Sequence, residues 1–119
     1  MAAIDRSTAN RMLGGDQGLS QIVRTAKQHH VKIIVDSLAR ISSSRHHRKY
    51  KDLLLHYLDS DGRRHICYGT DGQAQKFEDT AMLNYRKIEA WELLIEEVVK
   101  FTKKHDLDGI HLDNGQAWP

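Results

Sequence analysis

Two short apolar segments, VKIIVDSL at residues 31–38 and GIHLD at residues 109–113, most constrain how this chain can fold. Each follows a stretch with helical periodicity, and VKIIVDSL alternates poorly between apolar and polar residues. Such β-branched runs are typical of parallel strands buried on both faces. The order helix, strand, long excursion, helix, strand therefore predicts an α/β fold with a right-handed crossover.

The two helices are indicated by apolar stripes at helical spacing. The first is expected from about Asp16 to His29, with Asp16 as its N-cap. The second is expected within NYRKIEAWELLIEEVVKFTKKHD, residues 84–106, where Ile88 and Trp91 begin the stripe. Glutamates early and lysines late in this segment suit the helix dipole.

Residues 40–80 form a long polar excursion between the two predicted strands. Inside it, LLLHYL and RHICYG flank the turn sequence DSDG, which predicts a β-hairpin. Arg45–Lys49, with the sequence RHHRK, is interpreted as a solvated basic loop because no further ligand follows at metal-binding spacing. Long excursions in compact domains are often functional loops.

Composition narrows the class of protein. The 119 residues include 18 basic and 16 acidic residues, and a formal charge of +2 gives no electrostatic reason to expect nucleic-acid binding. The only cysteine, Cys67, excludes an internal disulfide, and no segment has the length of a membrane span or a signal peptide. The chain is therefore expected to be cytoplasmic, and no cofactor or metal is expected.

Both predicted strands are expected to finish in an acid, Asp36 after KIIV and Asp113 after GIHL. Ligands of α/β folds bind at the carboxyl ends of parallel strands, and neighbouring strands lie about 4.8 Å apart. If the two strands are adjacent, both acids face one site. His111 shares a strand face with Asp113 because side chains alternate with period two, and Asn114 offers an amide donor.

Three stretches in this order carry a resemblance to a known family. They are AAIDRSTANRMLGGDQGLSQIVRTAKQHHVKIIVDSL, the polar excursion, and AMLNYRKIEAWELLIEEVVKFTKKHDLDGIHLD. The chain resembles the α-amylase superfamily of glycoside hydrolases and transglycosidases. The resemblance implies part of a TIM (β/α)₈ barrel, roughly from the end of strand 2 to strand 4. Residues 1–39 and 81–119 would form the partial catalytic barrel, and residues 40–80 the inserted loop or subdomain after strand 3.

The resemblance also implies roles for individual residues. Asp113 matches the catalytic nucleophile, which forms a covalent glycosyl-enzyme, and Asp36 matches a supporting acid on the neighbouring strand. His111 stands where the family has Arg beside the nucleophile, and Arg40 and Ile41 stand where it has Asn-His. These departures remove a permanent charge and a sugar-contacting imidazole, so they put ordinary amylase activity in question.

The implied substrate is an α-glucan or an α-linked oligosaccharide, processed by retaining hydrolysis or glycosyl transfer. Trp118 either stacks on a sugar ring or anchors a loop, and both readings stay open. The family's general acid lies on its fifth strand, outside this chain, so the 119 residues are expected to be a piece of a longer enzyme and inactive alone.

Other interpretations compete with the catalytic one. Asp113 would be a plain strand-end acid if it only caps a turn with Gly115. The substituted positions favour a non-catalytic glucan-binding or scaffold module derived from the same barrel. A third alternative is an unrelated α/β domain that binds nucleotides at its strand ends. A downstream strand ending in Glu, followed by one ending in His-Asp, would favour the enzyme.

Overall fold

A computed structural model describes residues 9–38, 40–42, 48–70 and 76–113. Among these residues, a first long helix precedes six strands, and a second long helix precedes the last strand. The order is α1 (Gly15–Gln28), β1 (Ile34–Leu38), β2 (Arg40–Ser42), β3 (His56–Leu58), β4 (Arg64–Ile66), β5 (Tyr68–Thr70), β6 (Lys76–Met82), α2 (Ile88–His105) and β7 (Gly109–Asp113). Single 3₁₀ turns lie at Arg11–Leu13 and Lys51–Leu53. The α/β class expected from the sequence is confirmed.

The chain divides into two compact units. The parallel unit contains α1, most of β1, α2 from Leu93 onward, and β7. The antiparallel unit contains β2 to β6 and the first turn of α2. The division into a barrel at 1–39 and 81–119 and an insertion at 40–80 stays a prediction.

Each unit has its own buried side chains. In the parallel unit, the described core comprises Val23 of α1, Leu94 of α2 and Leu107, which leads into β7. In the antiparallel unit it comprises Leu54, Ala81, Leu83 and Ala90. Burial of apolar surface is the main term that stabilises folds of this kind, so each unit contributes its own share of stability.

The antiparallel unit combines a local hairpin with pairings between distant segments. Strands β3 and β4 form the hairpin that the DSDG turn predicted, with Tyr57 opposite His65. The central strand β6 pairs with β2 on one side and β5 on the other, an arrangement that the polar sequence of the excursion did not indicate. An isolated antiparallel bridge joins Leu54 to Leu83.

Helix α1 begins differently from the prediction. Its N-cap is Gly14, with φ 98°, and Asp16 lies within the first turn of the helix. The Asp16 carboxylate instead accepts a hydrogen bond from the backbone N–H of Ala9 at 2.8 Å. Glycine suits this position because the left-handed conformation carries a steric cost for residues with a Cβ atom. The prediction that Asp16 is the N-cap of α1 was therefore wrong.

Helix α2 begins four residues later than the predicted segment. The backbone N–H of Asn84 donates a hydrogen bond to the carbonyl of Leu53. The Asn84 side chain accepts a hydrogen bond from the N–H of Arg86 at 3.2 Å. These bonds hold residues 84–87 in a turn that precedes the helix. Ile88, expected on the buried stripe, is exposed, whereas Ala90 and Leu94 are buried.

Candidate active site

The two strands that carry the predicted site, β1 and β7, are neighbours in one sheet. Near their beginnings, the backbone N–H of Asp108 donates to the carbonyl of Ile33 at 3.0 Å. Three residues further along each strand, the side chains of Asp36 and His111 meet. Because both contacts advance by the same number of residues in the same direction, the strands run parallel.

The centre of the candidate site is the contact between Asp36 and His111. The imidazole Nδ1–H of His111 donates to Asp36 Oδ1 over 2.7 Å. Both side chains are open to solvent, with 63% of His111 and 81% of Asp36 exposed. A bond of this type fixes which imidazole nitrogen carries the proton and how the ring is turned. The pair is thus oriented by the protein and accessible to a ligand.

The remaining predicted site residues have different outcomes. Asp113 is the last residue of β7, two positions beyond His111, as the prediction required. Asp36 is in the middle of β1, which continues to Leu38, so the expectation that this strand ends at its acid was wrong. Asn114 and Trp118 lie outside the described residues. The structure therefore brings together Asp36 and His111 of the five predicted residues.

Helix α1 precedes β1 and helix α2 precedes β7, and both helices end in the same type of motif. Beyond α1, His30 has φ 57°, and the N–H of Val31 donates to the carbonyl of Ala26 at 2.8 Å. Beyond α2, Asp106 has φ 53°, and the N–H of Leu107 donates to the carbonyl of Thr102 at 3.1 Å. These are Schellman motifs, in which a left-handed residue closes the helix and turns the chain.

The two helix endings are also tied to each other. Lys27 at the end of α1 forms an ion pair with Asp106, which follows α2. The Asp108 carboxylate accepts a hydrogen bond from the N–H of Ile33 at 2.9 Å. Asp108 thus contacts Ile33 through both its backbone and its side chain. This double contact sets the relative register of β1 and β7, and it thereby places Asp36 beside His111.

A second polar cluster in the parallel unit was not predicted. His105 is buried, and its Nε2 lies 3.2 Å from Asp16 Oδ1, while Lys104 Nζ lies 2.7 Å from Asp16 Oδ2. The pKa of Asp16 is lowered from its ordinary value, first by the Ala9 N–H and then by Lys104. The unbroken helical pattern around His105 gave no signal for this contact, which joins α1 to α2.

The described part of the chain lacks two features, a metal-binding cluster and a membrane-spanning helix. No group of three or more His, Cys, Asp or Glu side chains there is arranged to hold a metal ion. Nor does any helix within those residues have the length and apolar character needed to cross a membrane.

Comparison with solved structures gives the class of fold. A noncanonic maltogenic α-amylase from Thermotoga neapolitana matches 99% of this chain, with a TM-score of 0.73 and 17% sequence identity. An α-amylase from Geobacillus thermoleovorans, in complex with acarbose, matches 97% of it, with a TM-score of 0.70 and 21% identity. The sequence matches no family model, and no curated protein matches it.

These likenesses concern a portion of the larger proteins. The chain spans 26% of the length of each of the two amylase chains. The resemblance to the α-amylase superfamily expected from the sequence is thus confirmed at the level of the fold, which is a partial α/β barrel. The assignment to barrel strands 2 to 4 stays a prediction.

Proposed function

We propose that this chain forms part of the catalytic barrel of a carbohydrate-active enzyme that acts on α-glucans or α-linked oligosaccharides. The reaction is retaining hydrolysis or glycosyl transfer, with Asp113 as the nucleophile. The observation that supports this proposal most is the hydrogen bond between His111 and Asp36 across two parallel strands. It lies two residues before Asp113 on β7, within a fold shared with α-amylases.

The proposed chemistry proceeds in two displacements. The Asp113 carboxylate attacks the anomeric carbon, the bond from that carbon to the leaving oxygen breaks, and the leaving oxygen takes a proton from a general acid. Water or an acceptor hydroxyl then attacks the same carbon and gives its proton to the general acid, which now acts as a base. The bond between that carbon and Asp113 breaks, and the Asp113 carboxylate is released. In this family the general acid belongs to a later strand, so it is supplied from beyond this chain.

The Asp36–His111 pair is proposed to position the substrate beside the nucleophile. With Nδ1 engaged by Asp36, the neutral ring of His111 has a lone pair at Nε2 that can accept a sugar hydroxyl proton. Asp36 retains acceptor capacity for a second hydroxyl, because a carboxylate has about four lone-pair sites. Adjacent hydroxyls of one pyranose ring fit such a pair of groups. A positioning error near 1 Å costs roughly a hundredfold in rate, so this contact matters to catalysis.

The direct test is covalent trapping in the natural gene product that contains this chain. An activated, fluorinated α-glucosyl fluoride slows release of the glycosyl-enzyme, and the labelled peptide is then identified by mass spectrometry. The proposal predicts a label on the peptide that contains Asp113, and no label in Asp113→Asn. It also predicts that Asp113→Asn lowers kcat by roughly a thousandfold or more.

Matched controls separate the site from the fold. Glu92→Gln removes an exposed carboxylate on α2 and should leave labelling unchanged. His111→Ala removes the partner of Asp36 and is expected to lower kcat about tenfold to a hundredfold while the label stays on the same peptide. A label on a different peptide, with activity intact, would remove Asp113 from the role of nucleophile.

A second candidate function is a non-catalytic glucan-binding or scaffold module from the same barrel. It is favoured by position 111, where an imidazole replaces the family's Arg and is engaged by Asp36. A neutral or partly charged His stabilises a neighbouring carboxylate less than a guanidinium does. This candidate predicts that α-glucan binds to the gene product without any covalent label and that Asp113→Asn binds equally well.

A further inference from the structure

The β3–β4 hairpin presents a rigid aromatic surface to solvent. Tyr57 and His65 are direct cross-strand partners, so both side chains lie on the same face of the hairpin. Their rings are stacked, with centroids 5.3 Å apart and planes inclined by 24°. Tyr57 is 46% exposed, and His65 is exposed as well. Cross-strand aromatic pairs stabilise hairpins, but packing alone does not require so much of both rings to stay in water.

The orientation of the His65 ring is fixed from the turn. Its Nε2–H donates to Asp59 Oδ2 over 2.7 Å. The other carboxylate oxygen, Oδ1, accepts the backbone N–H groups of Asp61 and Arg63, both at 2.9 Å. These bonds lower the pKa of Asp59 from its ordinary value, with His65 as the largest cause and the Arg63 N–H next. The carboxylate therefore stays ionised and keeps the imidazole in place.

The turn that supports this arrangement is itself well defined. Asp59 and Arg63 are joined by a backbone hydrogen bond of 3.0 Å, as are Gly62 and Asp59. Gly62 has φ 76°, a left-handed conformation that glycine adopts at little cost. Because the surface is already ordered, a ligand that stacks on it does not have to pay for immobilising the rings.

We propose that the free ring face of Tyr57, backed by the stacked ring of His65 and here called the hairpin platform, binds the flat face of a sugar ring in an α-glucan chain. The C–H groups on one face of a pyranose pack against aromatic rings, and its equatorial hydroxyls need polar partners at the rim. The Asp59 carboxylate, which is hydrogen-bonded to His65, supplies such a group next to the rings, and Arg63 is exposed in the same turn. The choice of an α-glucan rests on the proposed function, whereas the aromatic surface itself does not.

The other face of the hairpin provides an internal contrast. Leu58, the neighbour of Tyr57 on the strand, is 69% exposed on the opposite face and pairs with Arg64. A branched aliphatic side chain offers no flat surface for stacking. Loss of Leu58 should therefore leave sugar binding unchanged, although it removes a comparable amount of exposed apolar surface from the same hairpin.

The test is an NMR titration with maltoheptaose of the natural gene product that contains this chain, which follows the ring resonances of Tyr57 and His65. The expected result is a saturable shift of both rings and a Kd that rises at least tenfold in Tyr57→Ala. Tyr57→Trp should bind at least as tightly as the wild type, and Leu58→Ala should bind within about twofold of it. Cross-strand NOEs between His56 and Ile66 verify that the hairpin persists in each variant.

Several outcomes would overturn the proposal. One is that maltoheptaose leaves both rings unshifted in the folded chain, which would make the pair a purely structural contact. Another is a tighter response to adenosine than to maltoheptaose, which would make the platform a nucleobase site. Asp113→Asn should keep the titration unchanged, so platform binding without covalent trapping would remove the proposed nucleophile and leave the platform standing.

Discussion

The candidate active site in the parallel unit and the β3–β4 hairpin in the antiparallel unit are held by contacts of very different sequence range. In the parallel unit, Asp36 meets His111 across 75 positions and Lys27 meets Asp106 across 79. In the antiparallel unit, the hairpin contacts of Asp59 and His65 span six. Distant contacts depend on the order of whole helices and strands, whereas near contacts depend on turn residues. The difference teaches that the candidate active site is defined by topology and the hairpin platform by local chemistry.

Core truncation should give the largest effects and should be similar in the two units. Leu83 is 1% exposed in the antiparallel unit, and Leu94 is 3% exposed in the parallel unit. Replacing either by Ala removes buried methyl groups and leaves a cavity, so each variant should lose about 2–5 kcal/mol of unfolding free energy in urea titrations. The exposed Leu58→Ala is the matched control and should change it by less than about 0.5 kcal/mol.

Equal losses would show that the two units contribute comparably to stability. If Leu94→Ala cost no more than Leu58→Ala, the packing of α2 in the parallel unit would be incorrect. That result would contradict a candidate active site defined by topology, because such a site needs the helices of the parallel unit to be packed.

Substitutions at residues in the left-handed conformation should change the unfolding free energy by an intermediate amount, with opposite sign in the two units. The hairpin has Gly62 at φ 76°, whereas the helix endings have His30 at φ 57° and Asp106 at φ 53°. Gly62→Ala should cost about 1–2 kcal/mol, since a Cβ atom is strained there. His30→Gly should instead raise the unfolding free energy by about 0.5–1 kcal/mol, measured by thermal and urea unfolding.

Asp106→Gly refines this prediction. It relieves the same backbone strain as His30→Gly but also removes the ion pair with Lys27, so its gain should be smaller. A destabilising His30→Gly would argue against the Schellman ending of α1.

Acid pH should produce the smallest effect, a loss of unfolding free energy that is visible only below about pH 4. The pKa values of Asp16 and Asp59 are both lowered in the fold, Asp16 first by the Ala9 N–H and Asp59 first by His65. A lowered folded pKa gives stability that is fully present above the ordinary value of about 3.9 and is lost as the pH falls through the folded value. Asp16→Asn and Asp59→Asn should each flatten this acid loss, measured by urea unfolding from pH 2 to 6.

Salt should weaken the stabilisation by both acids. Asp16 pairs with Lys104 and Asp59 pairs with the imidazole of His65, and 1 M salt reduces the Debye length to about 3 Å. Each acid also accepts at least one backbone N–H, so part of its effect should persist in salt. An acid loss that is unchanged by salt in the wild type would contradict these two pairings.

The strands of the parallel unit could be predicted because their residues are β-branched, apolar and preceded by helical stripes. The hairpin could be predicted because DSDG has the chemistry of a turn. The strand β6 could not, since Lys76–Met82 contains four polar residues and no alternation, and its pairing comes from β2 and β5. In the site, the sequence indicated that Asp36 and Asp113 would face one site if their strands were adjacent, and the strands are adjacent.

Other features depended on contacts that leave no local pattern. The pairing of Asp16 with Lys104 and His105 joins residues almost ninety positions apart, and an acid near a helix start looked like an N-cap. The bond between Nδ1 of His111 and Asp36 needed the register set by Asp108 and Ile33. A one-residue change in that register would place the imidazole on the other face of the sheet.

The most direct measurement is the tautomeric state of His111, obtained from long-range ¹H–¹⁵N correlations at a pH where the ring is neutral. Donation from Nδ1 to Asp36 predicts a proton on Nδ1 and a bare Nε2. Asp36→Ala should then shift the ring toward the Nε2–H form. A His111 ring that has its proton on Nε2 in the wild type, and does not respond to Asp36→Ala, would contradict the adjacent parallel strands on which the site depends.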